Sequence, residues 1–216
     1  MTGFAREVYL PVSMHTQSRL LTTQKIIQSA ADLFLKRGFS SVSMDLIAEA
    51  AEVTKVTVYQ HFKSKEVLLL HCLRWRLDSR EGSLEAHFRG KAPSATQVLE
   101  VFDWLAQRSS KGNYHGCAFL KATQELGSTV PEVRVIALEA KRLMRKRLMM
   151  MLSNGGVLHP EQLADTLALL IEGAQALSLI EQGTRPFKAA RREAENLLTP
   201  YFDALPILAY SARGAN

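Results

Sequence analysis

Cysteine is nearly missing from this chain. Two residues, Cys72 and Cys117, cannot build the disulfide framework that staples small secreted domains, and both are expected as free thiols. Long apolar runs are missing too. The stretches 67–70 and 164–180 are short or broken by polar residues, so no membrane-spanning segment is expected. The opening MTGFAREVYLPVSMHTQSRLL has neither the continuous apolar core nor the small-residue cleavage site of a secretory signal, which points to the cytoplasm. No alternating strand pattern is present. Phosphate-binding GxxxxGK[ST], dinucleotide-binding GxGxxG, HExxH and GxSxG are all absent, and Glu125, Glu132 and Glu139 are scattered as on any helical surface. No catalytic residue, cofactor or metal is therefore expected. His115 with Cys117 offers too few ligands for a metal, and His71 and Cys72 point to different sides of one helix.

What remains is helical, basic and large enough for one big domain or two small ones. The 216 residues carry a formal net charge of +6. That charge suits a polyanionic partner, and alone it does not separate nucleic acid from an acidic membrane surface. Residues 1–20 show no helical period and read as a flexible arm that offers Arg6 and Arg19 to phosphates, with Met14 as an alternative start. From Thr22 onward Ile26, Ala30, Leu33 and Phe34 fall on one face, with Thr22 or Thr23 as the cap and Gly38 as the left-handed terminator. Ser43 caps a short second helix whose inner face is Met44, Ile47, Ala48 and Ala51, and Asp45 complements its dipole. Thr54 caps a third of about eight residues.

In that third helix Val58 and Phe62 face inward with Val53, leaving Lys55, Val56, Thr57, Tyr59, Gln60 and His61 largely outward. Two short helices about a tight turn satisfy helix-turn-helix spacing. Beyond them the spacing predicts helices from Ser64 to Phe88, closed by Gly90 and Pro93, then Ala95 to Ser109, Cys117 to Leu126, Thr129 to Leu152, Pro160 to Gln182 and Pro186 to Leu198. Thr129 and Glu132 have the spacing of a capping box. The fold class is all-α: an N-terminal three-helix helix-turn-helix domain at 21–66, a helical effector-binding and dimerisation bundle at 67–205, and a tail at 206–216.

The pieces AADLFLKRGF, SMDLIAEAAEV and TKVTVYQHFKSKEVLL, in that order and spacing, resemble the DNA-binding domain of the tetracycline-repressor (TetR) family of bacterial transcriptional regulators. The resemblance covers about the first third of the chain. It implies that Lys55, Val56, Thr57 and Gln60 face base edges in the major groove. It also implies that Ser43, Thr54, Tyr59, His61 and Lys65 contact phosphates. Lys25 takes the place of an arginine common near the start of helix one, where this chain has Thr23. The chemistry agrees: hydroxyls and cations position a protein on the DNA backbone, while lysine, glutamine and methyl groups read base edges.

The remainder of the chain matches only the family's general plan. Trp104, Cys117, Leu120, Met144 and Leu148 are candidate lining residues of an apolar or amphipathic effector pocket, and the run of methionines at 149–151 suits either such a pocket or ordinary core packing. Cys117, at a helix start, reads either as a reactive sensor or as inert packing. The basic face Lys141, Arg142, Arg145, Lys146 and Arg147 reads as a solvated surface, with a second DNA contact as the alternative. The segment 160–182 is apolar nearly all round, so it must be covered on more than one side, by a second copy of the chain or inside one subunit. Leu170, Gly173, Ala174, Leu177, Ala194 and Leu197 are the candidate dimer contacts. The expected function is a homodimeric regulator, a repressor of a palindromic double-stranded operator released by a small molecule. A helical enzyme or a basic interaction module without sequence preference is the alternative.

Overall fold

The computed structural model describes residues 14–91, 94–110 and 114–211. Among them are nine α-helices and no strand: α1 (Met14–Arg37), α2 (Met44–Ala50), α3 (Lys55–His61), α4 (Lys65–Phe88), α5 (Gln97–Ser109), α6 (Ala118–Leu126), α7 (Pro131–Asn154), α8 (Glu161–Glu181) and α9 (Arg185–Ser211). The chain divides into two compact units, Met1–Trp75 and Arg76–Asn216, with α4 common to both.

The first unit closes on Ile26, Ala30, Ile47, Ala51, Val58, Phe62 and Leu68, all buried. Gly38 ends α1 at φ 81°, its amide donating to the Phe34 carbonyl at 3.0 Å, and the Phe34 and Phe39 rings meet across this reversal at 5.4 Å. A side chain at such a φ is disfavoured, which is why glycine stands there. The start of α1 corrects the sequence reading, because the helix reaches back to Met14. Thr22 and Thr23 lie inside it, their hydroxyls donating to the Ser18 and Arg19 carbonyls at 3.0 and 2.9 Å, and neither is a cap. Leu20 and Leu21 are exposed on this extension. A turn with no buried face leaves no periodicity to detect. Arg6 lies outside the described residues.

The second unit is built around Phe102, Leu148, Leu152, Leu167, Ile171, Phe187 and Leu198. α8 packs on α9 and α7, α5 on α9, and α6 on α7. Glu81 of α4 sits between two guanidinium groups, Arg80 at 3.0 Å and Arg147 at 2.9 Å, and Arg80 also donates to the Ala140 carbonyl on α7 at 2.9 Å. By length and composition α8 could cross a membrane; its inner residues Ala164, Leu167, Ile171 and Ala174 are instead buried in this unit.

Several boundaries differ from expectation. The Thr129–Glu132 capping box does not form: Val130 is the cap residue, Pro131 opens α7, and the Thr129 hydroxyl donates back to the Leu126 carbonyl at 3.3 Å. Proline at the first helical position needs no amide partner, so no capping side chain is called for. α9 continues past Leu198 to Ser211, into the expected tail, and residues 212–216 lie outside the described residues. Gly90, at φ 77°, follows the end of α4, while Pro93 lies outside the described residues.

Candidate nucleic-acid interface

α2 and α3 are short, and both depend on capping. Ser43 Oγ accepts from the Leu46 amide at 3.1 Å, and Thr54 Oγ1 accepts from the Thr57 amide at 3.0 Å. Each cap satisfies one of the amides that a helix start leaves without a partner, worth about 1 kcal/mol. Between the helices the chain reverses at Glu52, whose φ of 51° is unusual for a residue with a side chain. The amides of Glu52 and Val53 donate to the Glu49 and Ala48 carbonyls, both at 3.0 Å, and Lys25 of α1 pairs with the Glu52 carboxylate. The turn is thus held by hydrogen bonds where a glycine would have supplied conformational freedom.

α3 is pinned by Val58, and by Phe62 just past its end, both fully buried. The opposite face carries Lys55, Val56, Tyr59 and Gln60, all exposed, with Val56 at 65%. Val56 and Tyr59 thus add apolar surface to an otherwise polar face. Lys55 reaches Asp45 of α2 at 2.8 Å, and that hydrogen bond together with the carboxylate's charge holds its pKa above the ordinary lysine value. Both side chains are more than half exposed, so the pair is screened and Lys55 can exchange Asp45 for another acceptor. Thr57 is half-buried, with its hydroxyl 2.9 Å from that of Thr54.

The residues assigned to phosphates separate into two groups. Tyr59 is exposed on the α3 face, Ser43 and Thr54 are the caps of α2 and α3, and Lys25 of α1 pairs with Glu52 in the turn between them. His61, half-buried, places Nδ1 2.8 Å from Thr23 Oγ1. Lys65 turns inward: its ammonium donates to the carbonyls of Phe39 and Val42, both at 3.0 Å, and lies 4.2 Å from the centre of the Phe39 ring.

In the second unit Trp104, Met144 and Leu148 belong to one buried cluster, but Leu120 is exposed and does not join it. Its place on α6 turns it to solvent. Cys117 is half-buried at the cap position of α6, with its sulfur 3.5 Å from the Lys141 ammonium, which pairs with Glu172 of α8 at 2.6 Å. Gly112 and Asn113 of the preceding loop lie outside the described residues. Sequence reasoning missed the polar groups around Cys117. Burial, then Cys117 and Glu172, raise the Tyr114 hydroxyl's pKa well above its ordinary value, and exposed Arg108 lies 4.7 Å from the Trp104 ring. Lys141 had the look of a solvated basic face, and only the packing of α7 on α8 turns it inward.

Two candidate dimer residues are corrected. Ala174 and Ala194 are 3% and 0% exposed inside their own subunit, because they lie on the faces with which α8 and α9 pack on each other and on the bundle. Leu177 and Leu197 are exposed, Leu170 is half-buried, and a Cβ added at Gly173 would meet nothing within 4 Å. Leu169, Ala176 and Ile180 extend the same exposed stripe.

A domain of one helix, a capped helix, a turn and a second capped helix, followed by a helical bundle, is a helix-turn-helix architecture. Residues 26–72 match the model of the bacterial regulatory proteins, tetR family. The N-terminal domain of the chain is therefore a TetR-family domain. It is 41% identical over 73 residues to the HTH-type transcriptional regulator AcrR of Shigella flexneri, covering 33% of each protein. It is 25% identical over 186 residues to the HTH-type transcriptional repressor NemR of Escherichia coli K12, covering 82% of this chain and 94% of NemR. The chain spans about a third of the length of the curated relatives it matches at 41% identity. The crystal structure of a TetR transcriptional regulator from Chloroflexus aurantiacus shares the fold with a TM-score of 0.74, at 24% identity, over 85% of this chain and 96% of that one.

Proposed function

We propose that the protein is a sequence-specific DNA-binding transcriptional regulator of the cytoplasm, a homodimer that represses until a small molecule binds its second unit. One observation carries this: a capped, core-anchored α3 exposes Lys55, Val56, Tyr59 and Gln60 on a single face. Lysine and glutamine supply the polar reading groups, and valine can meet thymine methyls. Phosphate contacts fall to Lys25, Ser43, Thr54, Tyr59 and His61, whereas Lys65 serves chiefly as a brace.

Dimerisation rests on the exposed stripe Leu169, Gly173, Ala176, Leu177 and Ile180 of α8 beside Leu197 of α9. A second copy would cover it and hold two reading heads about one DNA turn apart, roughly 34–36 Å, to suit a palindromic operator. The effector is apolar to match Trp104, Met144 and Leu148, and amphipathic if it also reaches Tyr114, Lys141 and Glu172. It acts by favouring one of two conformations, and by linkage it weakens DNA binding only as far as DNA weakens its own. The helix common to both units, α4, is the natural carrier of that coupling.

The test is selection of bound duplexes from a random pool, followed by gel-shift titration at several salt concentrations. Tighter binding of the selected duplex than of random DNA supports the reading, and equal affinity overturns it. Screening small molecules for release of the selected duplex then identifies the effector class.

A further inference from the structure

Thr23 and His61 meet at the end of the reading helix. Thr23 Oγ1 lies 2.9 Å from the Arg19 carbonyl oxygen, one turn back on α1, and 2.8 Å from His61 Nδ1. A hydroxyl has one proton to give. Aimed at His61, it leaves the hydroxyl and carbonyl oxygens facing each other at 2.9 Å with nothing between them. Aimed at Arg19, it makes both contacts hydrogen bonds, provided that Nδ1 carries a proton and donates to the hydroxyl oxygen. The second arrangement satisfies every group, and it selects the tautomer.

A neutral imidazole protonated at Nδ1 has a bare lone pair at Nε2. Nε2 has no hydrogen-bond partner among the described residues, and it is not one of the buried atoms left unsatisfied. A lone pair repels a phosphate oxygen. Contact with the DNA backbone therefore requires a second proton. We propose that Thr23 is a positioning residue that holds His61 in its Nδ1–H form, so that His61 binds a DNA phosphate only on taking up a proton at Nε2. This rests on the DNA-binding reading above and adds a proton to the reaction it describes.

The surroundings favour the neutral ring in the free protein. Burial, and then the Arg19 cation on α1, hold the His61 pKa below its ordinary value. No carboxylate offsets them: on α2 Asp45 is paired with Lys55, and Glu52 in the turn is paired with Lys25. On α4 Lys65 is directed to the Phe39 and Val42 carbonyls, and His71 meets the ring of Phe62 at 5.3 Å. A phosphate would supply the missing negative charge and raise the pKa. Affinity is then greatest below the free-protein pKa, falls as pH rises towards the pKa in the complex, and levels off above it. The slope is at most about tenfold per pH unit for each reading head.

Two measurements on the full chain test this. The first is the nitrogen-15 NMR spectrum of the imidazoles without DNA, with His61 assigned through His61→Gln. The second is anisotropy titration of a mixed-sequence duplex of about 30 base pairs, between roughly pH 5.5 and 8.5 at constant ionic strength. The expected result is an Nδ1–H signature at high pH, with a pH slope present in the parent and Thr23→Ser proteins. The slope should be reduced in His61→Gln. In Thr23→Val the proton should move to Nε2, and the slope should flatten while binding persists. An Nε2–H signature in the parent protein overturns the proposal, and so do equal slopes in the parent and His61→Gln proteins. Absence of duplex binding at every pH removes the DNA-binding reading and this inference with it, whereas intact binding with a flat profile removes the inference alone.

Discussion

Lys65, at the first position of α4, donates from its ammonium to the Phe39 carbonyl at 3.0 Å and also lies over the ring of the same residue. With a second bond to Val42 it ties the start of α4 to the loop between α1 and α2. Its place in the helix-turn-helix pattern suggested a phosphate contact; its geometry makes it chiefly a brace. Lys65→Met should lower the unfolding free energy by about 1–3 kcal/mol, the range for charged hydrogen bonds lost from part-buried carbonyls. Urea denaturation measures this. The salt slope of DNA binding by the folded variant should stay near that of the parent, and a slope lower by about one would return Lys65 to the phosphate group.

Gln60 is exposed on the α3 face, and its side chain makes no hydrogen bond among the described residues. Gln60→Ala should leave thermal stability unchanged and relax preference at one operator position by about ten- to a hundredfold. Lys55→Ala should act in the same way at a neighbouring position. The measurement is a comparison of selected and singly mismatched duplexes, and a uniform loss on all sequences would place these residues on the backbone.

Gly173 and Ala194 contrast an open position with a closed one. Gly173→Trp has room within the subunit and should leave its fold intact while dissociating the proposed dimer, as read by sedimentation. Ala194→Leu forces a larger side chain into a site that is 0% exposed and should cost about 1–3 kcal/mol of stability. An undissociated Gly173→Trp dimer would take that stretch of α8 out of the interface.

Glu81 separates the guanidinium groups of Arg80 and Arg147. Glu81→Ala leaves both cations without their carboxylate, and with the fifth of the surface still open to solvent the cost should be about 2–4 kcal/mol. Thermal unfolding checks this. Additional loss of effector response, with DNA binding preserved, would show that this link between α4 and α7 also carries the coupling.

Local chemistry was legible from residue order alone. Ser43, Thr54 and Gly38 act through the backbone groups of their own turns, so their roles follow from a few neighbouring residues. The inward face of α3 and the outward Lys55, Val56, Tyr59 and Gln60 follow from helical period. So does the all-helical architecture, because long stretches of one periodicity leave few alternatives.

Only the tertiary structure decided contacts between residues far apart in the chain. Thr23 meets His61 across 38 positions, Lys65 turns to carbonyls 26 and 23 positions away, and Lys141 meets Glu172 across 31. Ala174 and Ala194 look like interface residues by size, yet the packing of α8 on α9 and α7 places them inside the subunit. A residue's type and its position on a helix define which face it occupies. What that face meets depends on how the other helices pack, and no local pattern encodes that.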